Sequence, residues 1–245
     1  MECNIFTTSQ EMGKHAAEKV ADLIRKTVSE KGNARLLVST GQSQFEFFEE
    51  ITKMEDIPWE SVEIFHLDEY IGLPITHPAS FRKYLKERFI DKINPAEMHY
   101  ISGEGDIAAT IAEVTESIRK SPIDIGIIGI GENGHIAFND PPADFDTKDA
   151  YHVVTLDEKC RMQQVGEGWF GSIEEVPKQA ISATVPQILA CRTIVSIVPH
   201  KVKAEAVRNT LESPEVTNLI PATALRNHER WYLYLDADSA SLLKK

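Results

Sequence analysis

The chemistry-bearing residues concentrate in one segment, Gly129-Ile130-Gly131-Glu132-Asn133-Gly134-His135-Ile136-Ala137-Phe138-Asn139-Asp140. An imidazole with an amide and a carboxylate close by is a general acid/base arrangement. His135 is therefore the proton-handling candidate, with Asn133 and Asp140 to orient it. The glycines around it, Gly134 included, allow close backbone approach to a ligand. Metal binding by His135 and Asp140, with His66, is a second reading, but no H-x-x-x-H, H-E-x-x-H or C-x-x-C spacing supports it. A second segment, Leu67-Asp68-Glu69-Tyr70, places two adjacent carboxylates after an apolar run. They cannot both point the same way, so one can face a crevice as a base while the other makes structural bonds. A solvated acidic loop is the bland alternative. A third, Ser39-Thr40-Gly41-Gln42-Ser43, sets a glycine and hydroxyls between a strand and a helix, which suits an anion such as phosphate. Its spacing matches neither a P-loop nor G-x-G-x-x-G, and an ordinary strand–helix turn fits it equally. Lys201 follows another apolar run and could add a point charge to such a site.

These segments need elements to bring them together, and the hydrophobic pattern supplies them. Thr8-Ser9-Gln10-Glu11 has capping-box form and opens a helix running to about Glu30. Short apolar runs at 35–39, 62–65, 123–130, 192–198 and 231–235 read as strands, with a further one at 151–155. Helical periods follow Phe45 and cover 80–89, 106–119, 157–164 and 200–212. The β-branched run 123–130 reads as a central parallel strand buried on both faces. The alternation predicts a single α/β domain over residues 1–245, a doubly wound, mostly parallel, Rossmann-like sheet with helices on both faces. In such sheets ligands bind beyond the strand carboxyl ends, and the loops after these strands are the ones that carry the chemistry. Gln163 to Phe170 is polar, glycine-containing and aromatic, and reads as either a lid or a surface loop with a packed Trp.

Composition narrows the class. The 245 residues carry 26 Lys+Arg against 38 Asp+Glu, a net charge of -12. Such a chain has no general field for nucleic acid or anionic membrane, so an anionic ligand needs a local site. No apolar run approaches a membrane span, which takes about 20 residues. Met-Glu-Cys-Asn at the start lacks the basic region of a signal peptide. Cys3, Cys160 and Cys191 give no disulfide framework and no zinc pattern, which suits a reducing, cytoplasmic setting.

Taken in order along the chain, these residues resemble the glucosamine-6-phosphate deaminase (isomerase) family. The likeness is carried by Ser-Thr-Gly at 39–41, LDEYIGLP at 67–74, HPASF at 77–81, GIGENGHIAFND at 129–140, VPKQAIS at 176–182 and the lysine at 201. The resemblance implies conversion of glucosamine 6-phosphate and water to fructose 6-phosphate and ammonia, with no metal or organic cofactor. It makes Asp68 the base that moves a proton between C2 and C1. It makes His135 the ring opener, supported from positions 133 and 140. The resemblance implies that Ser39, Thr40, Gly41 and Lys201 hold the sugar phosphate, and the adjoining Gln42 and Ser43, with Gly134, are further substrate-binding candidates. The expected partner is a small amino-sugar phosphate, and a homo-oligomer is compatible with the sequence.

Departures from the family pattern shape three further expectations. Many members carry Asp where this chain has Asn133, and Glu where it has Asp140. Asn133 orients without charge and so favours the imidazolium less than an Asp would. The lid arginine that meets the phosphate in the family aligns with Gly166, leaving Arg161 as the nearest cation. The basic residues of an allosteric site in some members align with His152 and Val154, so activation by N-acetylglucosamine 6-phosphate is not expected. The alternatives in view are a galactosamine-6-phosphate deaminase/isomerase, a 6-phosphogluconolactonase and a non-catalytic sugar-phosphate-binding paralogue.

Overall fold

A computed structural model describes residues 1–244. The chain runs β1 (Glu2–Phe6), α1 (Ser9–Lys31), β2 (Ala34–Val38), α2 (Phe45–Ile51), β3 (Val62–His66), β4 (Asp68–Tyr70) and α3 (Phe81–Leu85). One π-helical stretch, Lys86–Ile90, joins α3 to the short α4 (Asp91–Ile93), and β5 (Glu97–His99) and α5 (Ile107–Arg119) follow. Then come β6 (Ile125–Ile128), β7 (Tyr151–Thr155), α6 (Glu158–Gly166), β8 (Gln179–Ala183) and α7 (Val185–Leu189). The chain closes with β9 (Thr193–Val198), α8 (Ala204–Glu212) and β10 (Trp231–Asp236).

Seven strands form one sheet in the order β1-β10-β9-β6-β2-β3-β5, every pair parallel. Alternation along the strands divides two apolar layers, as a period of two requires. Leu36, Val38, Ile125 and Ile127 face α1 and α2, where they meet Met12, Val20, Ile24 and Phe48. Leu37, Ile128, Ile194 and Val198 face the other way, onto Val114 and Ile118 of α5, Ile188 of α7 and Val207 of α8. The α/β class and the helices on both faces match the sequence pattern. Thr8 accepts from the Glu11 backbone N–H, while Glu11 accepts from the Thr7 N–H, so the box closes one residue early.

A second sheet, antiparallel in the order β4-β8-β7, was not legible in the sequence. It sits beyond the carboxyl end of β3 and turns Asp68 and Glu69 into strand residues rather than loop residues. Leu67 anchors its start: the Leu67 N–H donates to the Val38 carbonyl and the Leu67 carbonyl accepts from the Ala183 N–H. The two sheets are thus joined at the residue before Asp68.

Strand order reverses between β2 and β6. From β2 the chain moves outward through β3 and β5; from β6 it moves the other way through β9 and β10. Loops leaving two adjacent strands in opposite directions leave a crevice beyond their carboxyl ends, the usual ligand position in such sheets. The loops bordering it are 39–43 and 129–140.

Candidate active site

A cavity of about 1420 Å3 opens at this reversal point. Ser39 to Ser43, Asp68, Gly129 to His135, Cys160, Gln163, Gln164, Glu167 and Lys203 line it.

The turn after β2 is built around Gly41, whose φ of 99° is a conformation that favours glycine. Its carbonyl accepts from the Tyr84 hydroxyl and the Gln44 N–H, which fixes the turn from behind. Ser39 Oγ is buried without a protein partner on this wall, as an unfilled acceptor or donor for a ligand would be. Gln42 differs from its neighbours: its amide donates to the Glu167 carbonyl at 2.7 Å, tying the turn to the end of α6.

The two carboxylates after β3 part ways. Glu69 is fully buried and accepts from Ser80 Oγ, the Phe81 and Arg82 N–H groups and Arg82 Nε, at the start of α3. It is a structural anchor. Asp68 lines the cavity, 7% exposed. Burial, with the Glu69 carboxylate beside it, holds the Asp68 carboxyl well above the usual carboxylate range. That is the direction a base for a carbon acid requires at neutral pH.

His135 lies 9% exposed in the loop after β6. The loop folds back on itself: the Gly131 N–H donates to the His135 carbonyl, and the His135 N–H donates to Asn133 Oδ1 at 3.0 Å. Asn133 Nδ2 in turn donates to Asp140 Oδ1, also at 3.0 Å. Asp140 stands behind the cavity wall, with Oδ1 3.2 Å from His135 Nδ1. That approach is within charge-pairing distance but off the line of a formed hydrogen bond, since Nδ1 has no hydrogen-bond partner. Burial alone would raise the Asp140 carboxyl; His135 and Asn133 outweigh it and hold it below the ordinary value. Asp140 is therefore the carboxylate of the pair, and the amide at 133 bridges imidazole backbone and carboxylate as an uncharged spacer. His66, the other metal candidate, is spent elsewhere. Its Nε2 accepts from the Ile101 N–H, and burial pushes its pKa down to about 3.

Two expected phosphate ligands stand outside the cavity. Lys201 points outward and its Nζ donates to Ser241 Oγ at 2.9 Å. Arg161 turns to the carbonyls of Ile173 and Val176, away from the wall. The buried cation in the cavity is Lys203, 6% exposed, its ammonium pKa lowered by burial and held up by Glu167 and Glu132. The signal for it was present: Lys203, at the N-cap of α8, sits three, four and seven residues before the buried Ala206, Val207 and Thr210, in line with the buried face of that helix. Position 201 falls off that face. Within the segment 163–170, Gln163 and Gln164 belong to α6 and with Glu167 line the cavity, while Trp169 packs on Phe45 and Tyr84.

Residues 7–233 match the family model described as glucosamine-6-phosphate isomerases/6-phosphogluconolactonase. A glucosamine-6-phosphate deaminase from Thermoanaerobacter sp. (strain X514) is 35% identical over 250 residues, covering 99% of this chain and 95% of that protein. One from Streptococcus pneumoniae (strain Hungary19A-6) is 35% identical over 228 residues, covering 93% and 94%. A solved monomeric glucosamine-6-phosphate deaminase superposes with a TM-score of 0.91 at 31% identity, over 99% of this chain and 100% of that one. A 6-phosphogluconolactonase from Shewanella baltica OS155 shares the fold, with a TM-score of 0.79 at 20% identity over 97% and 98%. Near-complete coverage by the family model, joined to these full-length likenesses, places the chain in the glucosamine-6-phosphate isomerase/6-phosphogluconolactonase family.

Proposed function

We propose that the chain is a glucosamine-6-phosphate deaminase, converting glucosamine 6-phosphate and water to fructose 6-phosphate and ammonia. The observation that carries the reading is the convergence of a buried carboxylate of raised pKa, Asp68, and a carboxylate-backed imidazole, His135, on one cavity with a buried lysine. Ester hydrolysis needs no base for a carbon-bound proton, so a buried Asp68 favours the deaminase branch over the lactonase. The full-length likeness to curated deaminases supports the same branch.

Lys203 and the Ser39–Ser43 turn hold the phosphate end, which orients the sugar far from the reacting carbons. His135 takes the proton of the anomeric hydroxyl and returns one to the ring oxygen, opening the pyranose. Asp140 steadies the imidazolium that forms between these steps. Asp68 removes the proton on C2 and delivers it to C1 through an enolamine. The C2 imine that results is attacked by water and ammonia departs. Each proton transfer of this kind contributes about 10²–10⁴-fold. The free thiols Cys3, Cys160 and Cys191 are compatible with a cytoplasmic setting. No helix among the described residues is long and apolar enough to cross a membrane.

The test is a parallel incubation of the purified protein with glucosamine 6-phosphate, galactosamine 6-phosphate and 6-phosphogluconolactone. Ammonia and ketose in equal amounts from glucosamine 6-phosphate are expected. Turnover of the lactone alone would move the chain to the lactonase branch, and tight binding without turnover would make it a sugar-phosphate binder.

A further inference from the structure

Cys160 has no part in the chemistry above, yet it is 1% exposed and lies against the proton-handling pair. A ring nitrogen of His135, a carboxylate oxygen of Asp140 and Cys160 Sγ all lie within 4.8 Å of one another. Two atoms of this group are buried without a hydrogen-bond partner, His135 Nδ1 and Asp140 Oδ2. Unpartnered buried polar atoms are costly and mark a place where a ligand is wanted. His135 and Cys160 also line the cavity.

From this geometry we propose that His135, Asp140 and Cys160 form an inhibitory site for a borderline-soft divalent cation of the zinc class. One imidazole, one carboxylate and one thiolate are the donors zinc and cobalt select, and the thiolate and the single carboxylate disfavour magnesium and calcium. Tetrahedral zinc at its usual bond lengths sets ligand atoms about 3.3–3.7 Å apart. The His135–Asp140 separation of 3.2 Å is already close to that, and Cys160 Sγ, within 4.8 Å of the other two ligand atoms, must close by up to about 1.5 Å through its side chain or α6. Binding releases the thiol proton to solvent and leaves a neutralised thiolate on the metal. Among the described residues the other close grouping of metal-ligating side chains, Glu63, Glu97 and His99, is engaged differently: Glu63 already pairs with Arg35 and His99.

Occupancy has two consequences. The metal takes the lone pair that His135 needs for ring opening. It also pins α6, which carries Cys160, to the loop after β6. The inhibition rests on the deaminase reading, whereas the binding does not.

The experiment uses full-length protein stripped of divalent ions by a chelator and titrated with Co2+, then with Zn2+ in competition. The wild type should develop a saturable thiolate-to-cobalt absorption with one ion per chain, displaced by Zn2+. Magnesium should leave the spectrum unchanged. Cys160→Ser should lose the band and weaken Zn2+ binding by at least about 100-fold, since even an outer-shell partner is worth about 10–100-fold. Cys3→Ser, at an exposed thiol outside the cavity, should retain both. Circular dichroism confirms that each variant is folded, and Zn2+ should raise the melting temperature of the wild type by linkage. Deaminase activity, where measured, should fall with Zn2+ and return with chelator. A wild type with no saturable cobalt band and no zinc-induced thermal shift would overturn the proposal. So would a Cys160→Ser variant that binds as tightly as wild type. Zinc binding without inhibition would instead count against the role given to His135, leaving the metal site standing.

Discussion

Gly131→Ala tests the catalytic geometry through a single methyl group. A Cβ built at Gly131 overlaps Cε1, Nε2 and Cδ2 of the His135 imidazole, so the ring must move. The displacement required is on the order of 1 Å, and a misplacement of that size typically costs about 100-fold in rate. Gly131 has no positive φ, so the loss comes from the ring and not from backbone strain. Gly129, two residues earlier in the same loop, is the internal control. A Cβ there meets Gln44 Nε2 at 3.5 Å and Ser43 Oγ at 3.7 Å, both ordinary contacts. The assay is kcat/KM for ammonia release, with the melting temperature measured in parallel because overpacking costs about 1–3 kcal/mol. Gly131→Ala should lose about 100-fold or more while Gly129→Ala stays within about fivefold. Equal activity in the two variants would refute the placement of His135 as the ring opener.

Four further outcomes follow from the same site. Asp68→Asn should abolish product formation yet raise stability at neutral pH. The folded-state pKa of Asp68 is raised, so its ionisation opposes folding; the gain over wild type should shrink as pH falls and vanish below about 3.9, the unfolded value. The acid limb of kcat/KM should lie above the ordinary carboxylate range for the same reason, and a limb near 4 would contradict it. Lys203→Met should raise KM by about 10–100-fold, the worth of a charge-assisted bond to phosphate, while Lys201→Met should leave it unchanged. Glu69→Ala should destabilise the fold by about 3 kcal/mol or more in urea unfolding, because the Ser80 hydroxyl and the Phe81 and Arg82 backbone N–H groups lose their buried acceptor at roughly 1–3 kcal/mol each, while Arg82 keeps Glu104 as an ion-pair partner.

Much of the architecture was readable because long apolar runs and helical periods survive in sequence. Ile125–Ile128 and Thr193–Val198 are buried throughout, as continuous runs in a central parallel sheet should be. The antiparallel sheet was hidden because β4 spans only Asp68–Tyr70 and shows no period of its own. β8, Gln179–Ala183, is almost wholly buried and so lacks the alternation that marks a half-exposed strand. At the site, the loops after β2 and β6 were legible because glycines and polar residues interrupt apolar runs there, and Asp68 and Glu69 because two carboxylates follow the apolar run of β3. What linear order concealed was contact across elements. Arg161 and Lys201 are near the cavity in sequence, yet carbonyls of the loop before β8 and Ser241 draw them outward. Cys160 reaches Asp140 from a different element, with no ligand spacing to announce it.

The central claim is that Asp68 carries a proton between neighbouring carbons of an amino-sugar phosphate inside this cavity. Glucosamine 6-phosphate bearing deuterium at C2 tests it in one reaction, followed by NMR of the ketose together with ammonia release. The wild type should give fructose 6-phosphate and ammonia in equal amounts, with part of the deuterium recovered at C1. Asp68→Asn should bind the sugar phosphate and give neither product. Label transfer that persists in Asp68→Asn, or ammonia released without ketose, would contradict the account.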